Sequence, residues 1–181
     1  EVNISISKPP EKIIQEAFIV YDTQKIPLVK YLLGKKNFKS VLIFCSSKLS
    51  VKQLTRDLKR AKFLADEIHS DLDQTKREEV LIQFKSGRLP ILVATDILSR
   101  GIDIDNIDLV INYDVPGDGE DYVHRIGRTA RADGDGLAYT LIGEKEQNKF
   151  AVIEKLLEKE VEKAPVPKEL GPAPAYNPRH R

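Results

Sequence analysis

The densest group of chemistry-bearing side chains is His124-Arg125-Ile126-Gly127-Arg128-Thr129-Ala130-Arg131. A helical start is expected at Asp118, with Asp121 three residues later forming a capping-box-like pair, so the group should ride on a helix. Positions 124, 128 and 131 then share a face, whereas the neighbours 124 and 125 point different ways. His124, Arg128 and Arg131 are therefore expected to reach one ligand. A guanidinium stays charged and offers a fixed fork of donors, so two on one face suit a phosphoryl group and the charge it develops during transfer. The ordinary alternative is a solvated basic face, or an ion-pair patch with Asp133 and Asp135.

A second segment, Val93-Ala94-Thr95-Asp96-Ile97-Leu98-Ser99-Arg100-Gly101-Ile102-Asp103-Ile104, reads as a strand end followed by a polar loop containing a glycine. Two more precede it: Val41-Leu42-Ile43-Phe44-Cys45-Ser46-Ser47-Lys48 and Gln74-Thr75-Lys76-Arg77. Taken singly their polar residues are ordinary, since Ser47 can cap a helix and Thr95 can close a strand.

Other chemistries find little support. Gly34-Lys35-Lys36 lacks the upstream glycine of a G-x-x-x-x-G-K-[ST] phosphate loop. Asp66-Glu67-Ile68-His69 superficially resembles a metal-binding carboxylate motif, but without that phosphate loop His69 reads as a structural residue at a strand end. No Cys/His cluster suggests a metal site, and spacing alone argues for no Ser/His/Asp triad. The single cysteine, Cys45, is expected in the core and has no intrachain partner.

The elements that must position these segments follow from hydrophobic pattern. Short β-rich runs cover Ala17 to Tyr21, Val41 to Cys45, Leu64 to Ile68, Ile91 to Ala94, Leu109 to Tyr113 and Leu137 to Ile142. Between them Val51, Leu54 and Leu58 fall on one helical face, as do Leu81 and Phe84, and Ile153, Leu156 and Leu157 mark a last amphipathic helix. Strands apolar throughout need cover on both faces, which predicts a doubly wound, mostly parallel α/β sheet with helices on each side. In such sheets the loops leaving the carboxyl ends of the strands share one rim, where ligands bind.

Residues 1–10, ending in Pro9-Pro10, read as an interdomain linker, and residues 11–160 as one domain. Residues 161–181 read as a Pro-rich flexible tail outside the fold. The formal net charge of +1 balances 29 basic against 28 acidic residues, so any nucleic-acid site must be local. No apolar run approaches the roughly 20 residues needed to cross a bilayer. The expectation is a cytoplasmic, monomeric domain without a membrane partner.

The segments at 93–104 and 124–131 together resemble helicase motifs V and VI; 41–48 resembles motif IV and 74–77 the Gln-x-x-Arg element, in the family's order. From about Lys12 to Leu157 the chain resembles the C-terminal, second RecA-like domain of DEAD-box ATP-dependent RNA helicases, near the bacterial RhlE-like branch. The resemblance implies a RecA-like fold that completes an active site with an N-terminal RecA-like domain of the same protein. Arg128 and Arg131 would be arginine fingers on the γ-phosphate. Arg100, Gly101 and Asp103 would join them in holding ATP, with Asp103 on the ribose and Mg2+ held mainly by the N-terminal domain. Ser47, Gln74, Arg77, Thr95 and Asp96 would contact the RNA backbone, which suits hydroxyl, amide and guanidinium groups. Asp96, which repels phosphate, would act through its backbone or by orienting a neighbour. His124 and Arg125 would couple the two domains, and unwinding would proceed by bending one RNA strand.

Two positions depart from the family pattern: Ser70 and Ala130 stand where glycines are usual. Ser70 matters if its backbone needs positive φ, and Ala130 would favour a helix by about 0.5–1 kcal/mol relative to glycine if it is helical. Two other functions stay open on the residues alone, a stand-alone RNA-binding or docking module and half of a DNA-directed superfamily 2 helicase.

Overall fold

The computed structural model describes residues 12–98, 103–131 and 134–179. The expected linker at 1–10 lies outside the described residues. The strands are β1 (Ile13–Val20), β2 (Val41–Phe44), β3 (Ala65–Ile68), β4 (Ile91–Ala94), β5 (Leu109–Asn112), β6 (Gly136–Gly143) and β7 (Glu162–Lys163). The helices are α1 (Asp22–Lys35), α2 (Lys48–Arg60), α3 (Gln74–Lys85), α4 (Gly119–Ile126) and α5 (Gln147–Leu157).

The described strands form one sheet in the order β3-β4-β2-β5-β6-β1-β7, and all its pairings are parallel. Alternation along each strand divides the core between the two faces. Val41 and Ile43 of β2 meet Leu28, Leu32, Val51, Leu54 and Leu58 of α1 and α2. Leu42 and Phe44 point the other way, to Val80 and Phe84 of α3. Further along that second face α4 and α5 bring Tyr122, Ile126, Phe150 and Ile153 against Ala17, Ile19, Ala138 and Ile142. Leu156, expected on the buried side of the last helix, is exposed, while Ile153 and Leu157 are buried.

The chain order jumps from β4 across β2 to β5, so the loops after β2 and β4 open at the switch point of the sheet, the usual place for a ligand crevice. Two features were not expected. Helix α1 forms despite Pro27 in its interior, which removes one backbone bond. Its start is secured by Gln24, whose backbone N donates to the Tyr21 carbonyl at 2.8 Å and whose side-chain oxygen accepts from Tyr21 N at 2.9 Å.

The second is the tail. It is extended, as its composition favours, but it is packed on the body rather than standing outside the fold, and the packed chain reaches past residue 160 to residue 179. Glu162 and Lys163 pair with Glu16 and Ala17 of β1, and Ala164, Val166 and Leu170 lean on the core. The Gln24 side-chain amide donates to the carbonyls of Leu170 and Pro172, both at 3.0 Å. Further along the tail, Gln147 donates to the Ala175 carbonyl at 2.9 Å and the Tyr176 hydroxyl to Glu154 at 2.8 Å. Proline-rich backbone leaves its carbonyls unengaged, so glutamine amides on the body are matched partners for it.

The carboxyl ends of the strands are braced on the α1 face by a buried ion cluster. Lys25 Nζ lies 3.0 Å from Asp114 and 3.2 Å from Glu146, over the Tyr113 ring. Asp114 also accepts from Ser46 N at 2.7 Å, and Glu146 from Val115 N at 2.9 Å and Gly143 N at 3.0 Å. The loops after β2, β5 and β6 are thus tied to α1 through one ammonium. Burial opposes the charge on Lys25, but the carboxylates of Asp114 and Glu146 outweigh it and its pKa is raised. A base with a raised folded pKa contributes its full stability below the unfolded value and loses it as pH climbs through the folded one. Lys25→Met should therefore destabilise the domain by about 3 kcal/mol at neutral pH, as when one partner of a buried pair is removed. In urea titrations the gap from wild type should close only above about pH 10.5; a gap that closed at lower pH would contradict this role.

Candidate functional site

The arginine-rich segment does not continue as one helix. Helix α4, capped by Asp118 accepting from Asp121 N at 2.8 Å, ends at Ile126. Gly127–Thr129 is a 3-10 turn and Ala130 is extended, with φ −64° and ψ 132°. The expected common face of His124, Arg128 and Arg131 is therefore absent, and the helix-propensity argument for Ala130 does not apply. The cause is Thr129, fully buried, whose hydroxyl donates to the Ile107 carbonyl and accepts from Leu137 N at 3.1 Å. Gly136 permits this approach: a Cβ there would fall 2.1 Å from the Thr129 carbonyl oxygen. The turn is pinned between the 104–108 loop and β6 too tightly for another helical turn to form.

Pinning sets where the two arginines go. Arg128 Nη1 donates to the Ile104 carbonyl at 3.1 Å, and the Arg128 carbonyl accepts from Ile107 N at 3.0 Å. Arg131 Nη1 lies 2.8 Å from Asp108, its side chain 30% exposed. Both are held half-exposed against the 104–108 loop. Asp103, at the start of that loop, is exposed, as is His124 on α4. Arg100 and Gly101 lie outside the described residues.

Arg125 turns inward. It is 2% exposed and among the largest fully buried side chains. It pairs with Asp121 at 3.0 Å one turn earlier on α4, and with Asp96 in the short 3-10 turn after β4. It also reaches Asn112 of β5 at 3.4 Å and lies 5.1 Å from the centre of the Phe44 ring, while Asn112 donates to Thr140 of β6 at 3.2 Å. Its Nε is buried without a partner. A guanidinium can serve this seam because its several donors are fixed in a plane that also stacks on an aromatic face.

On the other part of the rim, Ser47 caps α2, accepting from Ser50 N at 3.1 Å, and is exposed. Thr95 closes β4: its N donates to the Ile68 carbonyl at 3.2 Å, and its carbonyl accepts from Leu98 N at 3.2 Å. The Asp96 carboxylate is engaged by Arg125, so it orients that residue. Gln74 opens α3 and is exposed. Arg77 is half-buried, and its Nε is buried with no hydrogen-bond partner. Ser70 is not among the positive-φ residues, so this loop does not require glycine there. His69 is buried, its ring 2.7 Å from Glu67. Among the described residues no three His, Cys, Asp or Glu side chains gather as a metal site.

Ser47, Thr95, Asp96 and the 127–131 turn are thus brought to the carboxyl-end rim by β2, β4 and α4, and Gln74 and Arg77 by the loop after β3. Residues missed from sequence are the anchors: Asn112, Asp108, Lys25 and Asp114. Asp121, singled out for capping, carries a further local signal in its four-residue spacing from Arg125. This rim can hold phosphates and sugars through hydroxyls, backbone groups and guanidiniums without supplying a nucleophile of its own.

The family model of the helicase conserved C-terminal domain matches residues 24–133. DEAD-box ATP-dependent RNA helicase 46 of Arabidopsis thaliana is 46% identical over 138 residues, 76% of this chain and 21% of its own length. The chain spans about a fifth of the length of such curated relatives. The structure of a DEAD box protein from the hyperthermophile Methanococcus jannaschii matches with a TM-score of 0.79 at 38% identity, covering 84% of this chain and 42% of that one. S. cerevisiae Dbp5 bound to RNA and ADP BeF3 matches with a TM-score of 0.80 at 28% identity, covering 87% and 43%. The chain belongs to the helicase conserved C-terminal domain family, as the C-terminal RecA-like domain of the DEAD-box type.

Proposed function

We propose that this domain is one half of an ATP-driven RNA helicase, closing with an N-terminal RecA-like domain over ATP and a single RNA strand. The observation that carries the reading is the double grip of Arg125, which holds Asp96 in the loop after β4 and Asp121 on α4. The loop assigned to RNA is thereby mechanically joined to the helix that leads into the arginine turn assigned to ATP. The solved relative Dbp5, bound to RNA and ADP BeF3, supports both ligands.

Bound ATP, with Mg2+ held mainly by the N-terminal domain, supplies the phosphoryl bond that is cleaved. The half-exposed guanidiniums of Arg128 and Arg131 fit that group. Each is tethered to the 104–108 loop, Arg128 through the Ile104 carbonyl and Arg131 through the Asp108 carboxylate, and the planar fork of a guanidinium suits phosphate oxygens. In this role they stabilise charge on the γ-phosphate, and Asp103 and the 100–101 segment steady the nucleotide. Ser47, Gln74, Arg77 and Thr95 hold the RNA backbone. His124, exposed on α4, faces the partner domain, while Arg125 transmits between the sites from within. Loss of the γ-phosphate removes the contacts that favour closure, and the cleft reopens.

In the full-length protein Arg128→Ala should lower RNA-stimulated turnover by at least about a hundredfold, in the range of a lost oxyanion donor or arginine finger, with an unchanged melting temperature; normal hydrolysis would remove Arg128 from this role. The isolated 181-residue chain should show no RNA-stimulated ATPase activity, and robust turnover by it would refute the two-domain division of labour. Arg125→Lys keeps the buried charge but not the planar fork, so RNA stimulation should fall by about tenfold, equivalent to about 1.4 kcal/mol, while hydrolysis without RNA persists. Equal loss of both would point to misfolding instead of lost coupling.

A further inference from the structure

Lys48 and Lys52, one turn apart at the start of α2, converge on Asp71 in the loop between β3 and α3. Lys48 Nζ is 2.9 Å from Oδ1 and Lys52 Nζ is 2.9 Å from Oδ2, and all three side chains are exposed, at 54%, 41% and 42%. The backbone of Asp71 is held independently of the lysines. Its backbone N donates to His69 Nδ1 at 3.2 Å, and the buried imidazole is held in turn by Glu67. The loop thus fixes the backbone at Asp71, and its carboxylate meets the lysines with one oxygen on each ammonium.

Two opposed ammoniums, each meeting a separate oxygen of one anion, form an arrangement that the two non-bridging oxygens of a phosphodiester also satisfy. Two positive charges against one negative leave the trio with a net positive charge. Replacing the carboxylate by a phosphodiester exchanges one negative charge for another, and exposed pairs of this kind are weakly held because water and salt screen them. The position matters as much as the charge. Ser47 immediately precedes Lys48, and Gln74 follows Asp71 by three residues, so the trio lies between the two loops assigned to RNA-backbone contacts. Hydrogen bonds from Lys52 and Lys48 hold the Asp71 carboxyl down at about 2, so it remains an anion at any ordinary pH.

We propose that Lys48 and Lys52 form an additional phosphate subsite of the RNA track and that Asp71 occupies it internally until an RNA phosphate displaces it. The inference rests on the reading of this rim as an RNA interface. Asp71 thereby lowers affinity for RNA, because each bound phosphate must take the lysines from it and then lie beside the carboxylate it displaced.

The test is a fluorescence-anisotropy titration of the full-length protein with a short labelled oligouridylate and a non-hydrolysable ATP analogue, over a range of salt. Asp71→Asn should tighten binding about threefold to tenfold at low salt, an effect that salt screens away. Asp71→Ser repeats the comparison should the asparagine variant melt early. The double variant K48Q/K52Q should weaken binding and flatten the slope of log affinity against log salt by about 0.7, the share of one phosphate on a single strand. Adding Asp71→Asn to that double variant should change nothing further. Weaker or unchanged binding by both Asp71 variants, with wild-type binding intact, would overturn the displacement, leaving Asp71 a clamp between loops. A wild-type protein that binds no RNA would remove the RNA interface itself, and this subsite with it.

Discussion

Burying a guanidinium is unfavourable unless its charge is met, and Arg125 meets that requirement only by drawing together groups from four separate elements. Asp121 comes from its own helix, Asp96 from the turn after β4, Asn112 from β5 and the Phe44 ring from β2. If any of these moved away, a charge would remain in a region of low polarity. The conformation of the turn after β4 is therefore fixed less by its own sequence than by the need of a residue some thirty positions later. Arg125 also occupies the seam between the cluster around α3 and that around α4 and α5, so the second face of the sheet behaves as one body.

Lys25 meets the same requirement on the opposite face. There one ammonium holds the carboxylates of Asp114 and Glu146, and these in turn receive backbone N–H groups from Ser46, Val115 and Gly143. A charged group lies beneath the rim on each side of the sheet, and the loops between them are those assigned to ligands. Such loops would otherwise belong to the least stable parts of a domain. Here their carboxyl-end geometry is set by interactions that are strong when complete and heavily destabilising when broken.

Elements whose signal is local were legible in the sequence. The short apolar runs marked six strands to within a few residues, Asp118 marked the start of α4, and the order of four short motifs pointed to the family. What remained hidden is long-range. The expectation that Arg128 and Arg131 extend a helical face failed because Thr129 bonds to Ile107 and Leu137, and Gly136 lets β6 approach, contacts that no helical period encodes. The burial of Arg125 was not legible because it depends on Asn112 and Phe44, far from it in the chain. The strand β7 was missed because two residues just ahead of Pro165 and Pro167 carry no period.

The tail bears on how the sheet ends. In a parallel sheet of this kind the last long strand, β1, has a full row of backbone donors and acceptors on its outer side, and such a row invites pairing with another chain. Glu162 and Lys163 engage only a short stretch of it, and the proline-rich continuation cannot itself offer an orderly ladder to a newcomer. Lysine and glutamate at the paired positions add charge to the boundary. The segment is therefore a selvedge: it covers part of the outer side of β1 with a border that is short, charged and followed by prolines.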